Sequence, residues 1–485
     1  MAQNIKDKEI YILFADFDVE IGGVGSTVLG RASSLAEKGY DITLLNVTPV
    51  QNFDYTLEYF RNKNELSKKV KFINLYQYYA RKNNPQNLTK KAAVKDEEAE
   101  RIVNPDQSVV YNYYSSDELV KSETYIDDCL VLSECGKNSD FYTKDGFNYL
   151  QKRGWQYRLI NRDDSSEMEF KSNKNLLYHF MREVCFSKKM PIIVCDSTKH
   201  WYNIDGIDLN EAYKIASMHG NPYDNGKVSP KVNHLKHLDE FDVLVLLTNE
   251  VSRDLSREFD KSKFRVIPNF ADDEFLKDLN VEKDQNKISI FSRISPEKQM
   301  SDAIRAFKIV SEQNDDAHLD IYGRALVEAE KEEYEKLKAL VGELDLENRV
   351  NFMGYIPDVR AEMQKSLCTL LTSKHEGLPL MLLESMASST PVIAYDLKYG
   401  PDDLIDNGAD GIIVKKNDID ELAGAMSRML ENPDDAIKMG VKAKDKIRKD
   451  FSIESVSRKW EELFEEVVAN RNSNSFLSKI KSIFK

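Results

Sequence analysis

Short buried apolar runs that alternate with amphipathic helices are the feature of this sequence that most restricts its fold. The first such unit has an apolar run at 9–16, then Gly22 and Gly23, an amphipathic stretch, and a second apolar run at 42–47. Strand, glycine turn, helix and strand in this order predict a βαβ unit, in which the two strands are parallel. Three further buried-strand patterns follow, at 191–195, 214–218 and 243–247.

A second region of the same kind begins near residue 287. Strand patterns at 288–292, 318–322, 350–352, 368–372 and 391–395 alternate there with helical patterns at 301–313, 328–344 and 379–387. Doubly wound sheets bind ligands at the carboxyl ends of their strands. The sequence therefore predicts an α/β fold of two Rossmann-like domains facing a cleft.

The sequence pattern changes within the first of these two regions. Residues 68–175 carry short alternating runs rich in aromatic and β-branched residues, which predict an antiparallel β-sheet inserted in the N-terminal domain. The predicted domains are 1–67 with 176–280 (N-terminal domain), 68–175 (inserted sheet), 281–450 (C-terminal domain), 451–470 (a helix returning toward the N-terminal domain) and 471–485 (an amphipathic tail).

Composition excludes several classes of protein. The 485 residues are 41% hydrophobic and carry a formal charge of -14, which indicates a globular protein and excludes one that mainly binds nucleic acid. The five cysteines show no metal-ligand spacing and are too few for a disulfide scaffold. The first residues lack an apolar signal core, and no apolar stretch is long enough to span a membrane. We therefore expect a cytoplasmic protein with reduced thiols.

The most informative motif runs from His375 to Glu384. Glu376 precedes a predicted helix with Pro379 in its first turn, so the backbone from Gly377 through Leu378 and Pro379 to Leu380 can face an anion, helped by the helix dipole. Glu384 lies further along the same helix. Two carboxylates in this arrangement can accept hydrogen bonds from two hydroxyl-bearing parts of one ligand, although a capping acid and a surface glutamate would give the same pattern.

A pair of cations follows the first strand of the same domain. Arg293 and Lys298 lie five positions apart in a turn that leads into a helix. A guanidinium and a flexible ammonium at this spacing can clamp a diphosphate whose charge grows as it leaves, whereas a pair of surface charges is the alternative.

Together these motifs resemble the retaining GT-B glycosyltransferases of family four. The resemblance covers nearly all of the second domain and the Gly22-Gly23 turn and strand end before Gly220 in the first. Its motif residues are Gly22, Gly23, His219, Arg293, Lys298, Gly323, Gly354, Tyr355, Ile356, Pro357, Glu376 and Glu384. The inserted segment, with residues 144–147 and 154–155, is similar to the extra sheet of bacterial wall teichoic acid, or poly(polyol-phosphate), alpha-glycosyltransferases. Related enzymes that glycosylate serine-rich adhesins carry a comparable insertion.

The resemblance implies a role for each residue. Arg293 and Lys298 would hold the donor diphosphate, with Gly22 and Gly23 letting the backbone approach it. Glu376 would bind the donor sugar and Glu384 the ribose. The backbone near Ile356 would face the uracil. His219 would lie beside the sugar at the reacting centre.

The implied chemistry needs no cofactor and no metal. Cations and helix N-terminal amides can stabilise the departing diphosphate, and the resemblance implies front-face substitution with the leaving phosphate accepting the proton. Asp16 and Asp18 form an Asp-x-Asp pattern, but they follow the first strand, outside the context in which metal-dependent transferases use such a pattern. We therefore expect no metal site there.

The resemblance implies transfer of glucose or N-acetylglucosamine from a UDP-sugar to hydroxyls of a polyol-phosphate polymer, wall teichoic acid. Two alternatives stay open: a Ser/Thr-rich adhesin protein as the acceptor, or an inactive GT-B subunit that stabilises a partner. A GT-B sugar-nucleotide epimerase fits the pair of glutamates less well. A homo-oligomer, such as a trimer, is implied through the inserted sheet.

The C-terminal tail adds a prediction of its own. In residues 475–485 the apolar side chains fall on one side of a helix and the lysines on the other, a pattern typical of a helix lying at a membrane surface. The polar stretch 470–475 predicts a hinge at the start of the tail. We therefore expect a peripheral position at the inner face of the cell membrane, with docking of the tail on protein as the alternative.

Overall fold

The structure is a computed structural model of the chain. It describes residues 5–483 except 16, 20–22, 51, 85–98, 117, 187–189, 197, 199–200, 205 and 225–226, and it leaves out the side chains of 202–203, 224, 227, 230–234 and 472–483. The chain divides into two compact units. The first comprises residues 1–218, 230–244 and 461–485, and the second comprises 219–229 and 245–460.

The chain begins with the predicted βαβ unit. The unit consists of β1 (Glu9–Phe14), α1 (Gly23–Glu37) and β2 (Asp41–Asn46), and it is followed by α2 (Phe53–Asn62), β3 (Lys71–Asn74) and α3 (Leu75–Lys82). β2 pairs in parallel with both β1 and β3. The boundary expected at residue 68 is therefore wrong, because β3 extends the parallel sheet beyond it.

The inserted region is an antiparallel sheet, as its alternating pattern predicts. Its eight strands are β4 (Glu100–Val103), β5 (Val109–Ser115), β6 (Glu118–Ile126), β7 (Cys129–Cys135), β8 (Asn138–Tyr142), β9 (Asn148–Arg153), β10 (Gln156–Ile160) and β11 (Glu167–Phe170). Each strand pairs with the next along the chain, giving the order β11-β10-β9-β8-β7-β6-β5-β4. A meander of this kind needs only short connections between its strands.

The chain then returns to the first parallel sheet. The elements that follow are α4 (Asn173–Cys185), β12 (Ile192–Cys195), α5 (Trp201–Ile204), β13 (Tyr213–Met218), β14 (Tyr223–Asp224), β15 (Lys227–Val228), β16 (Val243–Leu246), α6 (Asn249–Leu255) and β17 (Phe264–Val266). The complete sheet has the order β17-β16-β13-β12-β1-β2-β3. β1 and β12 lie in its interior and are almost entirely buried, which is typical of a sheet covered on both faces.

The second parallel sheet has the order β20-β19-β18-β21-β22-β23. Its strands are β18 (Asp284–Phe291), β19 (His318–Tyr322), β20 (Val350–Gly354), β21 (Ser366–Leu371), β22 (Val392–Tyr395) and β23 (Ile412–Val414). The helices of this region are α7 (Met300–Ser311), α8 (Glu328–Glu343), α9 (Arg360–Lys365), α10 (Leu380–Ala387), α11 (Pro401–Leu404), α12 (Ile419–Glu431) and α13 (Pro433–Asp450). Pairing outward from β18 in both directions is the doubly wound arrangement predicted from the sequence.

The last helix, α14 (Ile453–Ile483), runs through the predicted hinge at 470–475, so that prediction is wrong. Arg471 explains why: it donates to a carboxylate oxygen of Asp242 at 2.8 Å and to the carbonyl of Ala212 at 2.8 Å, and it lies over the Tyr213 ring. These contacts stabilise the helix where the local sequence is polar. Within the described part of the chain, no helix is both long enough and apolar enough to cross a membrane.

Candidate active site

Lys298 and Glu376 form the centre of the site. The Lys298 ammonium donates to Oε1 of Glu376 at 2.7 Å, and the Ser373 hydroxyl donates to the same oxygen at 2.7 Å. The side chains are 24% and 13% exposed, so the pair is partly accessible to solvent. Lys298 ends a short 3₁₀ turn (Pro296–Lys298), and its carbonyl accepts a hydrogen bond from the Thr372 hydroxyl. The turn after β18 and the loop after β21 are therefore joined at this point.

The backbone around Gly377 is closely packed. A methyl group on Gly377 would lie 2.3 Å from the carbonyl oxygen of His219, closer than real contacts allow. Gly377 therefore has to be glycine, and its lack of a side chain brings the His219 backbone against the loop that carries Glu376. The structure thus places two predicted site residues, His219 and Glu376, on neighbouring segments.

Helix α10 starts one residue later than predicted, with Pro379 as its N-cap. The side chains of Leu378 and Leu380 pack into the apolar core of this unit, and Asn269 donates to the Leu378 carbonyl at 3.3 Å. Leu378 is buried and can therefore offer a ligand only its backbone, whereas Leu380 is half-buried.

Glu384 lies on the same helix and differs from Glu376 in its surroundings. No group in the described part of the chain donates a hydrogen bond to its carboxylate, whereas Glu376 accepts two. Burial, and next the negative charge of Asp272, raise the pKa of Glu384 to about 7. A half-buried carboxyl with unused acceptors fits a ligand that brings hydroxyl groups.

Arg293 has a different partner from Lys298. Its Nη1 donates to Oε1 of Glu330 at 2.6 Å, and its side chain is 64% exposed. The two predicted clamp residues therefore follow the same strand, β18, but pair with different carboxylates. Gly323 fixes this region, because a methyl group there would lie 1.8 Å from the Ser292 carbonyl oxygen.

Ile356 lies on an apolar wall. It packs against a small buried cluster formed by Phe291, Tyr322 and Met363, in which the two aromatic rings stack with centroids 4.7 Å apart. Gly354 precedes it with φ +73°, which ends β20 and turns the chain toward the following helix. An apolar surface beside exposed backbone suits a flat heterocycle.

Two predicted positions in the first unit cannot be placed. Gly22 and Asp16 lie outside the described residues, while Gly23 begins α1 and Asp18 is exposed. Among the residues that the structure does describe, no three metal-binding side chains come together.

Three contributors to the site were not predicted from the sequence: Ser373, Glu330 and Asp272. Ser373 holds Glu376, Glu330 holds Arg293, and Asp272 acts on Glu384 through its charge. Ser373 is three residues from Glu376 and could have been noticed as a neighbour. The other two are far from their partners in sequence, so no local pattern points to them.

Fold and site together define the class of the protein. Residues 271–446 match the family described as glycosyl transferases group 1, and this range holds Arg293, Lys298, Glu376 and Glu384. Residues 271–446 are a glycosyl transferases group 1 domain, and the chain shares the GT-B fold of solved glycosyltransferases.

The chain is also similar to individual glycosyltransferases over nearly its full length. The chain is 21% identical to poly(ribitol-phosphate) alpha-N-acetylglucosaminyltransferase of Staphylococcus aureus strain COL, over 94% of this chain and 99% of that protein. A solved structure of a mutant of S. aureus TarM in complex with fondaparinux, alpha-GlcNAc-glycerol and UDP has a TM-score of 0.79, with 20% identity over 94% of this chain and 99% of that one. The pneumococcal O-GlcNAc transferase GtfA in complex with UDP and GlcNAc has a TM-score of 0.71, with 16% identity over 95% and 99%.

Proposed function

We propose that the chain transfers glucose or N-acetylglucosamine from a UDP-sugar to hydroxyls of wall teichoic acid, a polyol-phosphate polymer, and retains the anomeric configuration. The Lys298–Glu376 pair carries the proposal, because it sets one cation and one carboxylate side by side, partly open to solvent, next to the His219 backbone. Similarity to the S. aureus transferase over nearly the full length of both chains supports the acceptor class.

The pair has a chemical role on each side of the bond that breaks. Only one of the three Lys298 donors is used by Glu376, so the ammonium can also meet a phosphate oxygen. Glu376 keeps one carboxylate oxygen that can accept a sugar hydroxyl. As the bond from the anomeric carbon to the phosphate oxygen breaks, negative charge grows beside Lys298 and positive charge beside Glu376.

The acceptor hydroxyl attacks the anomeric carbon from the face that the diphosphate leaves. A new carbon–oxygen bond forms, the carbon–oxygen bond to phosphate breaks, and the hydroxyl proton passes to the departing phosphate. UDP and the glycosylated polymer are the products. The charges in this step are met by side chains and amides, so we propose that no metal ion takes part.

The direct test combines donors and acceptors. The purified protein is incubated with radiolabelled UDP-glucose or UDP-N-acetylglucosamine, and with poly(ribitol phosphate), poly(glycerol phosphate) or a serine-rich peptide, with and without EDTA. We expect one donor to label a polymer, with an α-linkage by NMR and no loss in EDTA. Label on the peptide alone would favour the protein acceptor, for which the fold shared with GtfA is the supporting observation. No transfer and no UDP binding would favour an inactive partner subunit.

We also propose that the protein works as a homo-oligomer through the inserted sheet, at the inner face of the cell membrane. The tail sequence 475–485 supports the second point, because its lysines would offset the repulsion between anionic lipid and a chain of charge -14. Deletion of these residues should abolish sedimentation with anionic liposomes and spare transfer to soluble acceptor. Unchanged sedimentation would contradict membrane binding.

A further inference from the structure

The ion pair between Arg293 and Glu330 is the feature that the proposed function leaves unexplained. Arg293 is 64% exposed, whereas the Glu330 side chain is only 5% exposed. A long, exposed cation is therefore held by a short, buried carboxylate. Lys298 differs, since its partner Glu376 is itself a proposed substrate contact.

Glu330 cannot move easily, because both of its carboxylate oxygens are in use. Oε1 accepts from Arg293 at 2.6 Å, and Oε2 accepts from the backbone amide of Leu326 at 2.7 Å and from that of Val327 at 3.4 Å. These two amides lie just before α8 and would otherwise lack partners. Rotating the carboxylate away from Arg293 would leave the start of the helix without its cap.

The backbone that carries Arg293 is fixed as well. The Ser292 amide donates to the Tyr322 carbonyl at 3.0 Å, and the Ile294 amide donates to the Arg324 carbonyl at 3.1 Å. The loop after β18 therefore continues the pairing of β18 with β19 on both sides of Arg293. With its backbone held by these bonds and its tip held by Glu330, the side chain has few orientations left.

We propose that Glu330 is a positioning residue, which orients the Arg293 guanidinium so that its remaining donors meet the diphosphate of the donor. A guanidinium has five N–H donors in a rigid plane, so one bond to Glu330 leaves most of them for a ligand. Fixing the plane in advance removes the cost of ordering a flexible side chain at each turnover. This inference rests on the proposed function, because it assumes that Arg293 meets a diphosphate.

The simpler reading is that Glu330 only caps α8. Glu330→Gln separates the two readings, because glutamine also serves in capping boxes and its amide oxygen can accept from the same backbone groups. It cannot supply the negative charge that holds Arg293. Glu328→Gln is the matched control, since Glu328 is in the same turn, is 80% exposed and forms an ion pair with Lys331 at 3.5 Å.

The experiment is a double-mutant cycle with Glu330→Gln, Arg293→Ala and the double variant. Turnover at saturating UDP-sugar and UDP affinity by calorimetry are measured, with the melting temperature as a check on folding. We expect Glu330→Gln to lower turnover by on the order of tenfold when Arg293 is present and to have no effect when Arg293 is already alanine. Glu328→Gln should match the wild type.

Other outcomes of this experiment would overturn either the positioning role of Glu330 or the proposed function. An equal loss in both backgrounds, or a loss that follows the melting temperature, would show that Glu330 is a cap only. No loss in either background would also overturn the inference. If Glu330→Gln does not fold, Glu330→Asp takes its place in the cycle, because it keeps the charge and withdraws it by one methylene. A wild-type chain that binds no UDP would instead overturn the proposed function itself.

Discussion

The two units each hold an ion pair beside a parallel sheet, and the pairs differ in exposure. In the first unit, Arg31 of α1 pairs with Asp196, directly after β12, and these side chains are 3% and 0% exposed. In the second unit, Lys298 and Glu376 are 24% and 13% exposed. The residue types are comparable, so exposure separates a pair that serves only the fold from one that a ligand can reach.

The two pairs differ in the free-energy cost of removing one member. A fully buried pair has given up its hydration, so removing one member leaves an uncompensated charge in the core. A partly exposed pair keeps water nearby, and either member can change partners at low cost. The first pair should therefore matter for stability and the second for activity.

The buried pair should give the largest effect. Arg31→Ala is expected to lower the free energy of unfolding by about 3–5 kcal/mol, because it leaves Asp196 charged in the core. Urea denaturation measures this change. Lys69→Ala is the control, since Lys69 and its partner Glu37 are both exposed and the expected loss is under about 1 kcal/mol. Similar losses for the two variants would contradict the comparison.

The accessible pair should affect turnover instead. Lys298→Ala and Arg293→Ala are each expected to lower turnover about 10²- to 10³-fold with the fold intact, because each removes a cation that stabilises the leaving diphosphate. Steady-state kinetics at saturating donor tests this. Lys308→Ala, which removes a surface cation of α7 paired with Glu312, is the control. Near-normal turnover in either site variant would refute its assignment.

The two glutamates should separate binding from chemistry. Glu384→Ala is expected to weaken UDP binding by about tenfold, since its proposed partner, the ribose, does not change during the reaction. Glu376→Ala should mainly lower turnover, because its proposed partner is the sugar that develops charge. Calorimetry with UDP and single-turnover kinetics measure the two effects. Loss of UDP binding in Glu376→Ala alone would reverse the roles.

The smallest expected effect is a pH dependence of stability. Glu384 has a pKa of about 7 in the folded chain against an ordinary 4.5, so it holds its proton more tightly when folded. The stability that this gives is fully present below pH 4.5 and falls as the pH rises through about 7. Glu384→Gln should therefore be more stable than the wild type at pH 8, by about 1–2 kcal/mol, and similar to it near pH 4.5. If the variant and the wild type were equally stable at pH 8 as well as at pH 4.5, the raised pKa of Glu384 would be contradicted.

Much of the fold could be predicted because its signals are local. The first βαβ unit could be predicted from the apolar run that forms β1, the glycine turn and the amphipathic helix that follow it. The antiparallel sheet could be predicted from its two-residue periodicity. β3 was assigned to the wrong sheet because only four residues form it, too few to tell parallel from antiparallel pairing.

What could not be predicted depends on contacts between distant residues. Arg293 and Glu330 are 37 positions apart, and the capping role of Glu330 gives no hint of an ion pair. The predicted hinge at 470–475 is wrong for the same reason, because Arg471 binds Asp242, 229 positions earlier. Tertiary contacts of this kind override weak helix propensity.

The path of α14 has a consequence for how the protein is made. From Glu461 onward this helix belongs to the first unit, where Glu461 pairs with Lys38 and Arg471 pairs with Asp242. Domains usually fold in the order in which they leave the ribosome, at about 5–20 residues per second. Here the first unit waits for the last part of the chain, and synthesis of residues 245–460 takes about 10–40 s at that rate. During that whole interval, the nascent N-terminal unit therefore exposes the surface that α14 later covers. We expect a chaperone or the ribosome surface to shield it.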